Sequence, residues 1–256
     1  MQPADHSDKA SHARFEATHW SEVLEAARSG APHGPEALAR LCERYWRPLY
    51  AFARRRGNPP QDAQDLVQGF FEHLIESRAL GTIDQAKGHF RSFLLASFQN
   101  FSLTEQRRAH AEKRGGRAQM VWIDWRDAES RVGLEPAEGL TPETVFDARW
   151  AFELLSRATR RLEQEQTARG KAQIFHTLRP FLGDEGTRAG LSYEQAARVL
   201  NVGLPALKTL IHRLRRRHAQ LLREEVAQTV LDPNDVEPEL HALCEALVAA
   251  GGRVQA

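Results

Sequence analysis

The chain has 256 residues, 35 Lys+Arg against 34 Asp+Glu, 41% hydrophobic residues and two cysteines, Cys42 and Cys244. That length suits one large domain or two small ones, and the apolar content excludes a wholly disordered chain. No run of about 18 apolar residues offers a membrane span, and two distant cysteines provide neither a disulfide scaffold nor metal-ligand spacing.

Ala and Leu outnumber Ile and Val and no alternating strand pattern stands out, so the fold class expected is all-α: two helical domains joined by a flexible acidic linker. Residues 1–17 read as a disordered leader, polar and without the apolar core of a signal peptide, which points to the cytoplasm. A first helix is expected near Thr18, where Trp20, Val23, Leu24 and Ala27 follow helical spacing. A second runs from about Glu36 to Arg56, with a kink or break at Pro48, and Gly57-Asn58-Pro59-Pro60 ends it. A third covers about Gln61 to Glu76, followed by a loop from Ser77 to Gly88 and a long helix from about His89 to Arg114.

Composition changes at Arg117. Gly133, Pro136, Gly139 and Pro142 punctuate an acidic stretch holding Trp122 and Trp125, which reads as the linker. Thr141 as cap and Pro142 as first residue open a helix to about Arg169, and another covers Lys171 to Leu182. A short helix, Ser192 to Leu200, meets a longer one, Leu204 to Val226. Val236, Leu240, Leu243 and Leu247 share a face and predict a final helix. The boundaries expected are 18–116 for the first domain, 117–141 for the linker, 142–230 for the second domain and 231–256 for an acidic tail.

Net charge near zero conceals segregation. Arg107 to Arg117 holds five cations against Glu112, Leu204 to Arg223 holds six cations and no acid, and Glu224 to Glu245 holds seven acids with no Lys or Arg. Two basic stripes suggest local contacts with a polyanion.

The sharpest local pattern is Ser192 to Lys208. Ser192 with Gln195 forms a capping box, Ala196 and Ala197 permit close helix crossing, and Asn201 tolerates the left-handed turn between two helices. The following helix turns Leu207, Ile211, Leu214 and Leu221 inward and leaves Lys208, His212, Arg213, Arg215, Arg216 and Arg217 outward. That is a helix-turn-helix with a recognition helix for the major groove and its phosphates; the plain alternative is an αα-hairpin with a solvated basic face. Upstream, Gln99 and Asn100 sit among Phe90, Phe93, Phe98 and Phe101, before Arg107, Arg108, Lys113 and Arg114. Rings beside cations suit a melted strand, although the same phenylalanines at helical spacing also fit a core.

Asp62 and Asp65 fall in the first turn of a helix, where acids are favoured by its dipole; a metal site joining them with Glu72 or His73 lacks suitably spaced ligands. Phosphate-binding loops, dinucleotide fingerprints and nucleophile or metalloprotease motifs are missing from the sequence, so neither an enzyme nor a cofactor is expected. A metal-dependent phosphoryl-transfer enzyme using Asp62, Asp65 and Glu72 is the remote alternative, and a stand-alone helix-turn-helix regulator the nearer one.

Four stretches taken in order resemble the extracytoplasmic-function (ECF) type RNA polymerase sigma factors. They are Leu41 to Phe52, Asp62 to Phe71, Gly88 to the basic run ending at Gly116, and Ser192 to Arg217. The resemblance implies that Asp62, Asp65, Leu66, Gln68 and Phe71 dock on core polymerase at the β′ clamp. It implies that Lys87, Gln99, Asn100, Arg107, Arg108, Lys113 and Arg114 recognise and melt the downstream promoter element. The recognition helix would read the upstream element beside the β flap, and the linker would run toward the active-site cleft. Leu204, Pro205 and Leu210 depart from the family's polar pattern there. Control is left to an anti-sigma factor or to the acidic tail acting on its own chain, and no membrane is implied.

Overall fold

The computed structural model describes residues 34–76, 89–111, 125, 139–183 and 191–251. The leader, the helix near Thr18, the loop Ser77 to Gly88 and most of the linker lie outside those residues.

Every regular element among the described residues is helical. The α-helices are α1 (Gly34–Arg55), α2 (Pro60–Glu76), α3 (Phe90–Ala111), α4 (Pro142–Ala168), α5 (Ala172–Leu178), α6 (Tyr193–Val199), α7 (Leu204–Ala227) and α8 (Val236–Ala249). Helix α1 runs through Pro48 as one helix, so of the expected kink or break the break does not occur. Gly57, at φ +90°, turns the chain after α1, and the Asn58 N–H and side-chain amide both donate to the Ala53 carbonyl at 3.3 and 2.8 Å. Pro60 then opens α2 as a first-turn proline.

Helices α1 to α3 meet through aromatic rings. Phe98 of α3 packs edge-on against Phe70 of α2 at 5.1 Å and Phe52 of α1 at 6.0 Å. Tyr45 of α1 stacks on Trp150 of α4, with centroids 4.4 Å apart and planes 11° apart, and Phe90 tilts against both. Phe90, Phe98, Phe70, Tyr45 and Trp150 are all essentially solvent-free, so the phenylalanines of α3 belong first to the core.

The hydrophobic core does not stop at the expected domain boundary. Phe146, Trp150, Ala151 and Leu154 in the first half of α4 share one apolar cluster with α1, α2 and α3, while Ala158 and Leu162 in its second half join α5, α6 and α7 in another. At 27 residues, α4 is about 40 Å long and serves as a common strut for both clusters. Thr141 caps it, accepting from the Thr144 N–H at 3.1 Å, with Pro142 following as the sequence predicts.

The predicted final helix is α8. Its Leu243 enters the cluster built around α1 to α3, with Val236, Leu240 and Leu247 packed alongside. Charge follows the same route. Within the acidic stretch, Glu224 and Glu225 pair with Arg161, Glu224 also with Arg217, Glu237 with Arg223, and Glu239 with Arg91. Segregated charge along the chain has thus become complementary charge inside the fold.

Candidate nucleic-acid and polymerase interfaces

Helices α6 and α7 form the helix-turn-helix. The Ser192 hydroxyl accepts from the Gln195 N–H at 3.2 Å while the Gln195 side-chain Oε1 accepts from the Ser192 N–H at 2.7 Å, which completes the capping box. Asn201 turns the chain at φ 51°, the one described non-glycine residue with positive φ, and the Val202 N–H donates to the Ala197 carbonyl at 3.0 Å. Ala196 and Ala197 are buried beneath α7, as close crossing requires.

Along α7, Leu207, Ile211, Leu214 and Leu221 face inward. Lys208, His212, Arg213, Arg215 and Arg216 are exposed. Two of the six expected contact residues already have internal partners. Arg217 forks onto Glu165 of α4 at 2.6 and 2.9 Å and reaches Glu224 at 3.3 Å, and the Arg215 Nε donates to the Phe181 carbonyl at 2.7 Å. The Arg217 fork holds the Glu165 carboxyl below its ordinary pKa. Arg217 is therefore first a brace between α7 and α4, and the open cationic face consists of Lys208, His212, Arg213 and Arg216. Leu204 is exposed on that face, whereas Leu210 packs against the core.

On α2, Asp62 and Asp65 are exposed, and Leu66 and Gln68 are half-buried. Asp65 accepts from Gln61 at 3.1 Å and Gln68 donates to Glu72 at 3.2 Å, both one turn apart. Phe71 is 1% exposed and packs in the core, so it supports the helix from beneath and offers no docking contact. Val67, Phe70 and Leu74 are buried as well, so this side of α2 belongs to the core. Among the described residues no group of three or more His, Cys, Asp or Glu could hold a metal ion.

On α3, Asn100 and Arg107 are exposed, and Gln99 donates to Glu143 of α4 at 3.2 Å. Lys87, Lys113 and Arg114, and the side chain of Arg108, lie outside the described residues. Sequence reasoning placed the start of α3 within a residue but missed the contacts made there. There Arg91 is clasped by Glu239 at 2.9 and 3.0 Å and paired with Asp147, and the Phe90 N–H donates to the Thr229 carbonyl at 3.1 Å. The acid run at 224–245 was the available signal, but its partners lie far away in the chain. Cys42 is chemically quiet, since burial pushes its thiol up to about 12.

Residues 41–112 match the family model for sigma-70 region 2. The match covers α1 from Leu41 onward, α2, residues 77–88 and α3. No curated protein and no solved structure matches the chain. That stretch is thus similar to sigma-70 region 2, which supports a sigma-factor role in promoter recognition and RNA polymerase binding. No helix among the described residues is long and apolar enough to cross a membrane.

Proposed function

We propose that this chain is an ECF-type sigma factor that binds core RNA polymerase and directs it to specific promoters, recognising and melting promoter DNA. The observation that carries this reading is the presence, in one chain, of a stretch similar to sigma-70 region 2 and a downstream helix-turn-helix with an exposed cationic second helix. A stand-alone regulator would need the second of these but not the first.

In this reading 142–230 is the region 4-like domain and 117–141 the linker that follows region 2. Asp62, Asp65, Leu66 and Gln68 dock on the β′ clamp. Lys208, His212, Arg213 and Arg216 contact the upstream element near the β flap. Asn100, Arg107, Arg108, Lys113, Arg114, Lys87 and, once released from Glu143, Gln99 serve the downstream element. Two DNA-contacting modules on one tether engage the same promoter at high effective concentration. Helix α8 restrains the free protein by clasping the base of α3, and release of that clasp accompanies polymerase binding. The direct test is transcription in vitro with core enzyme on a genomic fragment library, followed by sequencing of start sites. Discrete start sites that depend on this chain support the proposal; a folded chain that lets core enzyme initiate nowhere overturns it.

A further inference from the structure

Where α1, α4 and the end of α7 converge, the surface sinks into a cleft of about 560 Å³, within the range of roughly 300–1,000 Å³ that holds small ligands. Its lining is overwhelmingly polar and charged. Helix α1 contributes Arg44 and Arg47, and α4 contributes Arg157, Arg160 and Arg161 from the other wall. Five guanidiniums line the cleft with three carboxylates, Glu43, Glu153 and Glu225.

The guanidiniums outnumber the lining carboxylates, although Arg161 also reaches Glu224 at 2.7 Å just outside the cleft. Arg47 forks onto Glu153 through one nitrogen at 3.1 and 3.2 Å, leaving its buried Nε with no hydrogen-bond partner. Glu225 is shared between Arg161 at 2.8 Å and Arg157 at 3.4 Å. Arg160 is exposed and has no ion pair among the described residues. Beside Arg47 and Glu153, Arg149 is 3% exposed, and burial pushes its pKa down to about 10; Glu153 opposes that shift and the Arg47 charge adds to it. An incoming anion relieves this excess.

We infer that this cleft is a binding site for a small oligophosphate, the polyphosphate chain of a nucleotide or free inorganic polyphosphate. Planar guanidinium forks match phosphate oxygens two at a time, and forks from two helices accommodate successive phosphates. A duplex backbone is the poorer fit, because it needs cations in a row along a surface rather than gathered around a hollow. No part of the site draws on the residues assigned to promoter or polymerase contacts. Since the walls belong to α1, α4 and α7, an occupied site also stiffens the packing between the two core clusters.

The test is calorimetric titration of the full chain, at fixed ionic strength, with tripolyphosphate, ATP, sulfate and a random-sequence DNA duplex. Saturable one-to-one binding of tripolyphosphate at least tenfold tighter than sulfate is expected, and Arg44→Ala/Arg160→Ala should weaken it at least tenfold with helical circular dichroism unchanged. The single variant Arg160→Ala, at an exposed position, serves if the double variant does not fold, with a several-fold loss expected. ATP binding as tightly as tripolyphosphate places the recognition in the phosphates, and tighter ATP binding adds a nucleoside; both support the site. Equal affinity for sulfate, an adventitious ion only, overturns it. So does an unchanged affinity in the variants, or loss of tripolyphosphate binding on Arg213→Ala/Arg216→Ala instead. Duplex DNA that displaces tripolyphosphate from the cleft would make the site a nucleic-acid surface and overturn the small-ligand assignment.

Discussion

Glu239 of α8 accepts two hydrogen bonds from Arg91 at the start of α3, 148 positions earlier, and is itself 2% exposed. Arg91 also pairs with Asp147 of α4, so one guanidinium joins three helices. Burial alone would lower the pKa of Arg91, yet its two carboxylate partners hold it above the ordinary value. His89 adds a weaker approach to the same carboxylate, with Nδ1 3.5 Å from Glu239.

Removing Glu239 leaves the largely buried Arg91 guanidinium with one of its two carboxylates, Asp147. Glu239→Ala is therefore expected to destabilise the protein by about 3 kcal/mol, read as a lower urea midpoint at unchanged slope. The double variant Arg91→Ala/Glu239→Ala should cost less than the sum of the single changes, because the Arg91–Glu239 contact is lost only once and the carboxylate left behind, Asp147, is the more solvated of the two. Additive costs would mean that the two residues do not act together.

His218 provides a pH dependence. Its Nε2 lies 3.0 Å from the Thr159 hydroxyl, and burial lowers its pKa, with the Leu155 backbone opposing. A histidine whose folded pKa is depressed stays neutral in the native state while the unfolded chain takes up a proton near pH 6.5. The contribution of His218 is thus intact above about pH 6.5 and declines as pH falls toward its lower folded pKa. Comparing urea unfolding at pH 7.5 and 5.5 in the wild type and in His218→Gln isolates this residue from the other histidines. The variant should lose less stability on acidification; an equal loss would assign the acid sensitivity elsewhere.

Local rules made much of this fold legible. Ser192 and Gln195, Thr141 and Pro142, and Asn201 each fix a short-range geometry that depends only on near neighbours, and each is realised. Helix faces were legible for the same reason, as Leu207, Ile211, Leu214 and Leu221 show. What spacing could not reveal is which surface covers a face. Phe71 was placed on the docking face by the resemblance, but it lies 1% exposed in the core cluster that also holds residues of α1 and α3. Arg217 looked like a DNA contact because nothing local marks Glu165, 52 positions away, as its partner. The acids of 224–245 read as a concentrated run of negative charge, and spacing could not name the arginines that claim several of them.

Asp65 tests the proposed docking face at little structural cost. It is exposed, and its one hydrogen bond comes from Gln61 on its own helix. Asp65→Arg should stay within about 0.5 kcal/mol of wild-type stability. If α2 grips the polymerase, this charge reversal abolishes co-elution with core enzyme in size-exclusion chromatography while duplex DNA binding persists. Retained co-elution would move the docking face off α2.

On α7 the two kinds of arginine separate by experiment. Arg213 and Arg216 are exposed, whereas the Arg217 fork already holds Glu165. Each arginine that contacts a phosphate releases counterions on binding, so its loss reduces the slope of log affinity against log salt by about one. Arg213→Ala and Arg216→Ala should therefore each weaken duplex binding and flatten that slope by about one, measured by fluorescence anisotropy between 50 and 200 mM salt. Arg217→Ala should leave the slope unchanged and instead lower stability by up to about 1 kcal/mol, since its partners are partly solvated. A slope that falls with Arg217→Ala but not with Arg213→Ala or Arg216→Ala would mean that the braced arginine swings out to meet DNA, and that the open face of α7 is not the one that reads it.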